Sequence, residues 1–542
     1  MRHTPQNRTL TVVTTAALSA LLLTPLAAAE TVEISLRAHP DSVQLRPGAA
    51  TSVWRYSASV ISGPATAVES IPGSYLGPIL HLRTGDTLIV HFKNDLPEAT
   101  NVHWHGLDVP ADMDGYATDV VAPGGEKLIT FPILNRASTY WFHPHPDMMT
   151  APQVMAGMAG VIEVTDSESE ALDLPSGEFD IPFIIQDRTF TATNQFDYAP
   201  DMMEAMAAWT GESMVINGIV DTTFDMKRHA YRMRLLNGSN AHTYRLAWSD
   251  GTPLTVIGSD GGLFDVPVAK TSLILGPAER AELWVDFSTM AAGATRTLKS
   301  LAFNPGFTNA GGNGTARDIA TFTAVGEVQS GPALPTTLVN MERYNLADAS
   351  NPTSPRQWPF GFNGEYTLNG GLFQNHIVAA DEIVPCDTLE VLQVSNTVQM
   401  MAILHPFHLH GPSFQVLSRT NTSGTTYGYS TIASGFNDHG WKDTFSIWPG
   451  ETVKVLIKWS RYEGDFHYHC HLLEHEDMGT MRTFRVNTDG CQPSADLNGD
   501  GAVNGLDMAL LLGAWGLPGG DIDGNQTTDA ADLAALLAGW AP

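Results

Sequence analysis

Apolar and polar positions alternate in short runs along most of the chain, the period-two pattern of half-buried strands. Ile79-Leu80-His81-Leu82-Arg83, a Gly85-Asp86 turn and Thr87-Leu88-Ile89-Val90-His91-Phe92 read as strand, turn, strand. Met233-Arg234-Leu235-Leu236-Asn237, Ala281–Phe287, Leu389–Val394 and Thr452–Trp459 repeat the style, and Gly/Pro/Asn loops punctuate it. Helical periodicity is scarce. Many short strands at this spacing predict β-sandwiches, and 542 residues exceed what one core can serve.

The pattern breaks at both ends. Arg2 and Arg8 precede an apolar run from Leu10 to Leu26, closed by Ala27-Ala28-Ala29 before Glu30. Charged start, apolar middle and small-residue end are expected to form a cleaved signal peptide over 1–29. No adjacent arginine pair supports a twin-arginine route, and no later run is long enough to predict a membrane span. The predicted address is export, to a periplasm, cell surface or exterior. Residues 30–168, 175–335 and 340–488 are the expected sandwiches, and 492–542 a separate module.

Composition narrows the partners. Acidic residues number 58 against 29 basic ones, so a nucleic acid, which needs clustered Lys and Arg, is not expected. Of the three cysteines, Cys386 and Cys491 could form a disulfide in an oxidising compartment if Cys470 is a metal ligand.

The chemistry sits in the histidines. With 19 His in the chain, chance gives roughly 0.7 His-x-His pairs, yet five occur, at 103/105, 143/145, 408/410, 467/469 and 469/471. One pair is ordinary on a wet strand face. Five, one enclosing a cysteine, imply metal. In His469-Cys470-His471 the two imidazoles share one face of an extended segment and the thiol the other. A soft thiolate with imidazoles suits copper, so one strand can serve two metal centres.

The motifs His-Trp-His-Gly, His-Pro-His, His-Pro-Phe-His-Leu-His and His-Cys-His-x-x-x-His resemble, in order, the four copper motifs of three-domain multicopper oxidases. Within that family the chain is most similar to spore-coat laccases, bilirubin oxidases and periplasmic cuprous oxidases, over about residues 35–487. Thr100-Asn101-Val102 and Trp441-Lys442-Asp443-Thr444 are further family-like phrases. The resemblance implies a mainly β fold of three cupredoxin-like Greek-key sandwiches. It also implies four copper ions. A type 1 copper would be held by His405, Cys470 and His475, and a type 2 copper by His103 and His408. Two type 3 coppers would be held by His105, His143, His145, His410, His469 and His471. The middle sandwich would carry no ligand and hold the outer two in place. Asp114 and Glu476 match the family's proton-handling acids. His467 and His439 fall outside the pattern and are read as non-ligands.

The implied activity is laccase-like: one-electron oxidation of phenols, aromatic amines or bilirubin-like pigments, coupled to four-electron reduction of O2 to water. The alternatives are a cuprous or other metal-ion oxidase serving copper tolerance, and a copper-binding structural relative without catalysis. Met148, Met149, Met155, Met158, Met202, Met203 and Met206 form two loose clusters that would suit Cu(I), but thioethers are also flexible core filler, the favoured reading. One position departs from the family. The weak axial methionine lies ten residues after the cysteine, where this chain has Thr480. The expectation is a raised type 1 potential without an axial bond, with an approach by Met481 or Met478 as the alternative.

The tail is acidic, with seven Asp and no Lys or Arg over 491–542. Asp496, Asn498, Asp500, Ala502, Asn504 and Asp507 occupy the ligand positions of a twelve-residue calcium loop, with Gly501 at the turn. Asp521, Asp523, Asn525, Thr527, Asp529 and Asp532 repeat them, with Gln526 replacing the glycine. Each loop precedes an apolar helix-like stretch. The pair resembles a dockerin, implying a small α-helical module with two Ca2+ and a cohesin-type protein partner. Its recognition positions, Gly505-Leu506 and Ala530-Ala531, lack the usual Ser-Thr.

Overall fold

A computed structural model describes residues 30–220, 222–303, 314–398, 403–422, 426–487, 495–497, 503–516, 520, 522 and 527–540. The expected signal peptide and Cys491 lie outside them.

Apart from a two-stranded ribbon of Phe360–Phe362 and Tyr366–Leu368, the strands among the described residues fall into three successive pairs of sheets. The first pair joins Thr51–Ser62, Thr31–Val43, Thr87–Asn94 and Glu126–Pro132 in one sheet, and Val68–Glu69, Ile79–Arg83, Gly160–Thr165 and Ser138–Phe142 in the other. Along Thr31–Val43, alternation sends Val32, Ile34, Leu36 and Ala38 into the core while their neighbours face outward. Ile79–Arg83 and Thr87–Asn94 do not pair with each other as a hairpin. The turn at Gly85 (φ 99°) passes the chain from one sheet to the other, so the expected strand, turn, strand order is present with each strand paired elsewhere. Both segments have an apolar face, and period-two patterning carries no information about which strand completes the ladder.

The second pair has six and five strands, the third five and five. In the second, the central strand Ala230–Asn237 is buried on both faces. Tyr231, Met233 and Leu235 enter the sandwich core, and the alternate Arg232 and Arg234 are buried in ion pairs with Asp180 and Glu282. Arg234 also donates to Thr139 Oγ1 at 3.2 Å, so this charged face is spent on joining the first sandwich to the second. In the third, Gly464–Cys470 lies between His405–Leu409 and Met481–Asn487, and the first two of these three strands carry the copper motifs.

The tail contains two short helices, Gly505–Gly513 and Ala530–Ala538, packed through Leu511, Ile522 and Leu536. Asn504 with Asp507, and Asp529 with Asp532, form capping boxes at their N-termini, which gives loop positions nine and twelve a structural role independent of any ion. Asn498, Asp500, Ala502, Asp521, Asp523 and Asn525 lie outside the described residues. Arg461 donates to the carbonyls of Asp496 (3.1 Å) and Leu497 (2.6 Å), linking the tail to the third sandwich. Cys386 is disulfide-bonded and Cys470 is free. Among the described residues no helix is long and apolar enough to cross a membrane.

Candidate metal centre

Strand alternation builds two sites on opposite faces of one sheet. In Gly464–Cys470, Phe466, Tyr468 and Cys470 enter the apolar core of the third sandwich, whereas His467 and His469 face the other way. The neighbouring strand is in register, with Phe407 opposite Cys470 and His408 opposite His469. His405 therefore shares the cysteine's face, and His408 and His410 share that of His469.

On the core face, His405 Nδ1 lies 3.3 Å and His475 Nδ1 3.7 Å from Cys470 Sγ. All three side chains are fully buried. Burial holds His405 well below the usual imidazole range and brings His475 down to about 4, so both rings are neutral and can act as ligands. His475 Nε2–H donates to the Met206 carbonyl at 3.2 Å, which fixes the tautomer that turns the Nδ1 lone pair toward the sulfur. Tyr366 stacks on His475 at 4.3 Å and Phe360 on His405 at 4.9 Å, closing the site to water.

Thr480 stands beside this site. The Cys470 N–H donates to its carbonyl at 3.0 Å, and its hydroxyl donates to the Tyr366 carbonyl at 3.3 Å. Met481 pairs in register with His469, and directly opposed residues in an antiparallel ladder share a face. Its thioether accordingly lies on the histidine side of the sheet, away from Cys470. Met481 is not a replacement axial ligand.

On the other face, eight histidines from the first and third sandwiches converge. The His103 and His143 segments are joined by reciprocal backbone hydrogen bonds, and Asn101 Oδ1 accepts from His145 N at 2.7 Å. That is the local work of the Thr-Asn-Val phrase. His103 Nε2 faces His408 Nε2 at 3.4 Å, and His105 Nδ1 faces His143 Nε2 at 3.4 Å. His469 Nε2 lies 3.3 Å from His145 Nε2 and 3.2 Å from His410 Nε2. His471 is buried with neither ring nitrogen hydrogen-bonded, its ring 5.1 Å from that of His105.

The outward nitrogens explain the inward ones. His103 Nδ1 donates to the Asp114 carbonyl (2.9 Å), His143 Nδ1 to the Pro144 carbonyl (2.9 Å) and His408 Nδ1 to the Asp443 carbonyl (3.0 Å). His410 Nδ1 donates to Asp114 Oδ2 at 2.7 Å, and His105 Nε2 to Asp443 Oδ1 at 3.2 Å. With the outer nitrogens donating, lone pairs point inward at one another. Burial lowers His105, His143, His408, His410 and His471 well below the usual range, and His145 to about 3, so protons do not relieve that crowding. Electron-pair donors held this close without protons fit bound cations, and the donor sets fit copper.

Both expected proton-handling acids border this cluster. Asp114 is buried against His410 and His103, and burial raises its carboxyl above the usual range. Glu476 lies 3.0 Å from His469 Nδ1 and 3.4 Å from His145 Nε2. Burial pushes it up, but its interactions with the adjoining His145 and His469 rings outweigh that and hold it well below the usual range. His467 is committed elsewhere: its Nε2 accepts the Ala117 N–H at 3.0 Å. His439 pairs with Asp265 at 2.7 Å. Neither joins a donor cluster among the described residues.

Sequence reasoning missed four groups. Tyr366 and Phe360 roof the thiolate site. Asp443 belongs to a family-like phrase that gives it no role, and Arg280 of the middle sandwich, which grips it, carries no local signal. The methionines divide: Met155 and Met158 are buried filler, whereas Met148, Met202 and Met203 are 69%, 75% and 63% exposed, which filler does not explain.

A buried cysteine–imidazole site, joined through one strand to an eight-histidine cluster between cupredoxin-like sandwiches, defines a copper oxidoreductase. Two multicopper oxidase family models match residues 53–169 and 341–490. A laccase of Bacillus stratosphericus is 30% identical over 84% of this chain and 93% of its own. A bilirubin oxidase of Albifimbria verrucaria is 32% identical over 76% of this chain and 71% of its own. A multi-copper oxidase structure from Pediococcus acidilactici superimposes with a TM-score of 0.70 at 31% identity, covering 86% of this chain and 92% of the other. The chain belongs to the multicopper oxidase family, and so uses copper, O2 and a reducing substrate.

Proposed function

We propose that the protein is an exported laccase-like oxidase that takes electrons singly from phenols, aromatic amines or bilirubin-like pigments and reduces O2 to water. One observation carries this reading: the full set of ten histidines and Cys470 is present and arranged as one thiolate site and one eight-histidine cluster. His405, Cys470 and His475 would hold the type 1 copper, and His103 with His408 the type 2 copper. The remaining six histidines would hold the type 3 pair, with His145, His410 and His469 on one ion and His105, His143 and His471 on the other. Bound copper supplies single-electron redox chemistry and the place where O2 is reduced.

The chain's own residues do the rest. Cys470 is the direct sequence neighbour of His469 and His471, so its backbone is a covalent route between the sites. Full burial of all eleven side chains excludes water. Asp114 and Glu476 border the cluster and can pass protons to it, since reduction of O2 to two waters consumes protons as well as electrons. A relative that had lost catalysis should lack several of these side chains, and this chain lacks none.

The test is oxygen uptake by the copper-loaded protein with a phenolic donor and, separately, with Cu(I), while peroxide is assayed. One O2 consumed per four phenol oxidations without peroxide is expected. Fast uptake with Cu(I) alone would select the metal-ion reading, which one observation favours: Met202 and Met203 are exposed on Met202–Met206, the helix whose last carbonyl holds His475. No uptake with either donor overturns both.

Thr480→Met offers a thioether from the cysteine's side of the sheet. The expected result is a lower type 1 potential, read by redox titration of the blue absorption. An unchanged potential would mean that the new side chain does not reach the site.

For the tail, we propose calcium binding through the two loops and a protein-binding role, supported by the loop spacing and the paired capped helices. Equilibrium dialysis of the full chain against Ca2+ is expected to show about two ions per chain. No uptake at millimolar Ca2+ would leave Asp507 and Asp532 as helix caps alone.

A further inference from the structure

The middle sandwich contributes no histidine to either cluster among the described residues, yet it reaches the ligands. Arg280 Nη1 donates to Asp443 Oδ1 at 2.7 Å and Nη2 donates to Oδ2, a two-pronged clamp from the second sandwich onto the third. Asp443 in turn accepts from His105 through Oδ1 at 3.2 Å and from His408 through its carbonyl at 3.0 Å. The two rings stack at 3.7 Å, so one residue sets the tautomer and the plane of both. Thr444 Oγ1 closes the arrangement, 3.2 Å from His105 Nε2 and 3.0 Å from His408 Nδ1. Because the guanidinium occupies both carboxylate oxygens, Asp443 acts here as an acceptor rather than a third ligand beside these histidines.

One further observation points the same way. Gly106, directly after His105, has φ +88°, and a Cβ there would lie 2.5 Å from Asp443 Oδ2 and 2.7 Å from Arg280 Nη2. The glycine of the His-Trp-His-Gly motif is thus the clearance for the clamp.

We infer that Arg280 is a positioning residue for copper. Through Asp443 it orients His105 and His408, so that the middle sandwich governs retention of the type 2 ion. That ion is the sensitive one because only two imidazoles, His103 and His408, would hold it. The inference rests on the proposed assignment of the eight-histidine cluster.

The test uses the full copper-loaded chain as Arg280→Gln, Arg280→Lys and Asp443→Asn, with Arg232→Gln as a control for losing a buried ion pair of the same sandwich. Copper per chain is measured by metal analysis, the type 1 site by its blue absorption, and the uncoupled type 2 ion by electron paramagnetic resonance. Arg280→Gln should keep the blue absorption, lose roughly one copper together with the type 2 signal, and bind that copper about 10–100-fold more weakly. Arg280→Lys should recover part of the loss, and Arg232→Gln should keep all the copper. Asp443→Asn keeps the volume and one acceptor, so it decides the matter if Arg280→Gln does not fold. Wild-type copper content and type 2 signal in folded Arg280→Gln or Asp443→Asn would overturn the inference, as would equal loss from both sites. These readouts need no donor. Wild-type protein lacking both signals when loaded would instead refute the proposed function.

Discussion

Cys470→Ser is expected to remove the blue absorption and almost all donor-driven oxygen uptake while leaving the eight-histidine cluster loaded. The sulfur is the soft ligand that makes the thiolate site suit copper, and a serine hydroxyl in the same volume is a hard, poor donor for Cu(I). The residue is also the junction between the sites, so electrons entering at His475 lose their route to His469 and His471. Changing a partner one step removed from a metal costs about 10–100-fold, and losing the bridging ligand itself should exceed that. The fold should survive, because Phe466, Tyr468 and Phe407 around the position keep their packing. Metal analysis should find about three coppers per chain, one fewer than the four implied. Uptake within about tenfold of wild type would show that electrons reach the cluster by another path.

The copper motifs were legible because strand geometry turns spacing directly into faces. His405 and His408, three apart on one extended strand, must point opposite ways, and so must His469 and Cys470. Sequence therefore separated two sites before any distance was known. Partnerships made at long range were not legible. Arg280 and Asp443 are 163 positions apart, and a buried arginine in a strand reads locally like any alternating polar residue. Nor could periodicity show that Gly85 carries the chain between sheets. The axial question lay between these cases. Strand alternation already argued against Met481, but only the register with His469 excluded a bulge that would have turned its thioether back.

Glu476→Gln is expected to slow oxygen reduction by about 10²–10⁴-fold, the usual contribution of a positioned proton donor. Electron entry at the thiolate site should be unaffected. The carboxylate lies against His469 and His145 on the cluster side, whereas His475, its chain neighbour, faces Cys470. Glutamine has the same size, so the substitution removes the carboxylate that can take up and pass on a proton with little change in packing. Two measurements separate proton delivery from damage to the site. Stopped-flow reduction of the blue absorption by a phenol under anaerobic conditions should match wild type, and turnover in D2O should slow more than it does for wild type. Copper content must first be shown equal, because Glu476 touches two of the expected ligands. Asp114→Asn is the weaker probe, since Asp114 fixes both His410 and His103 and its loss would mix orientation with proton supply. A Glu476→Gln protein with full copper, wild-type turnover and an unchanged solvent isotope effect would place the proton source elsewhere on the cluster wall.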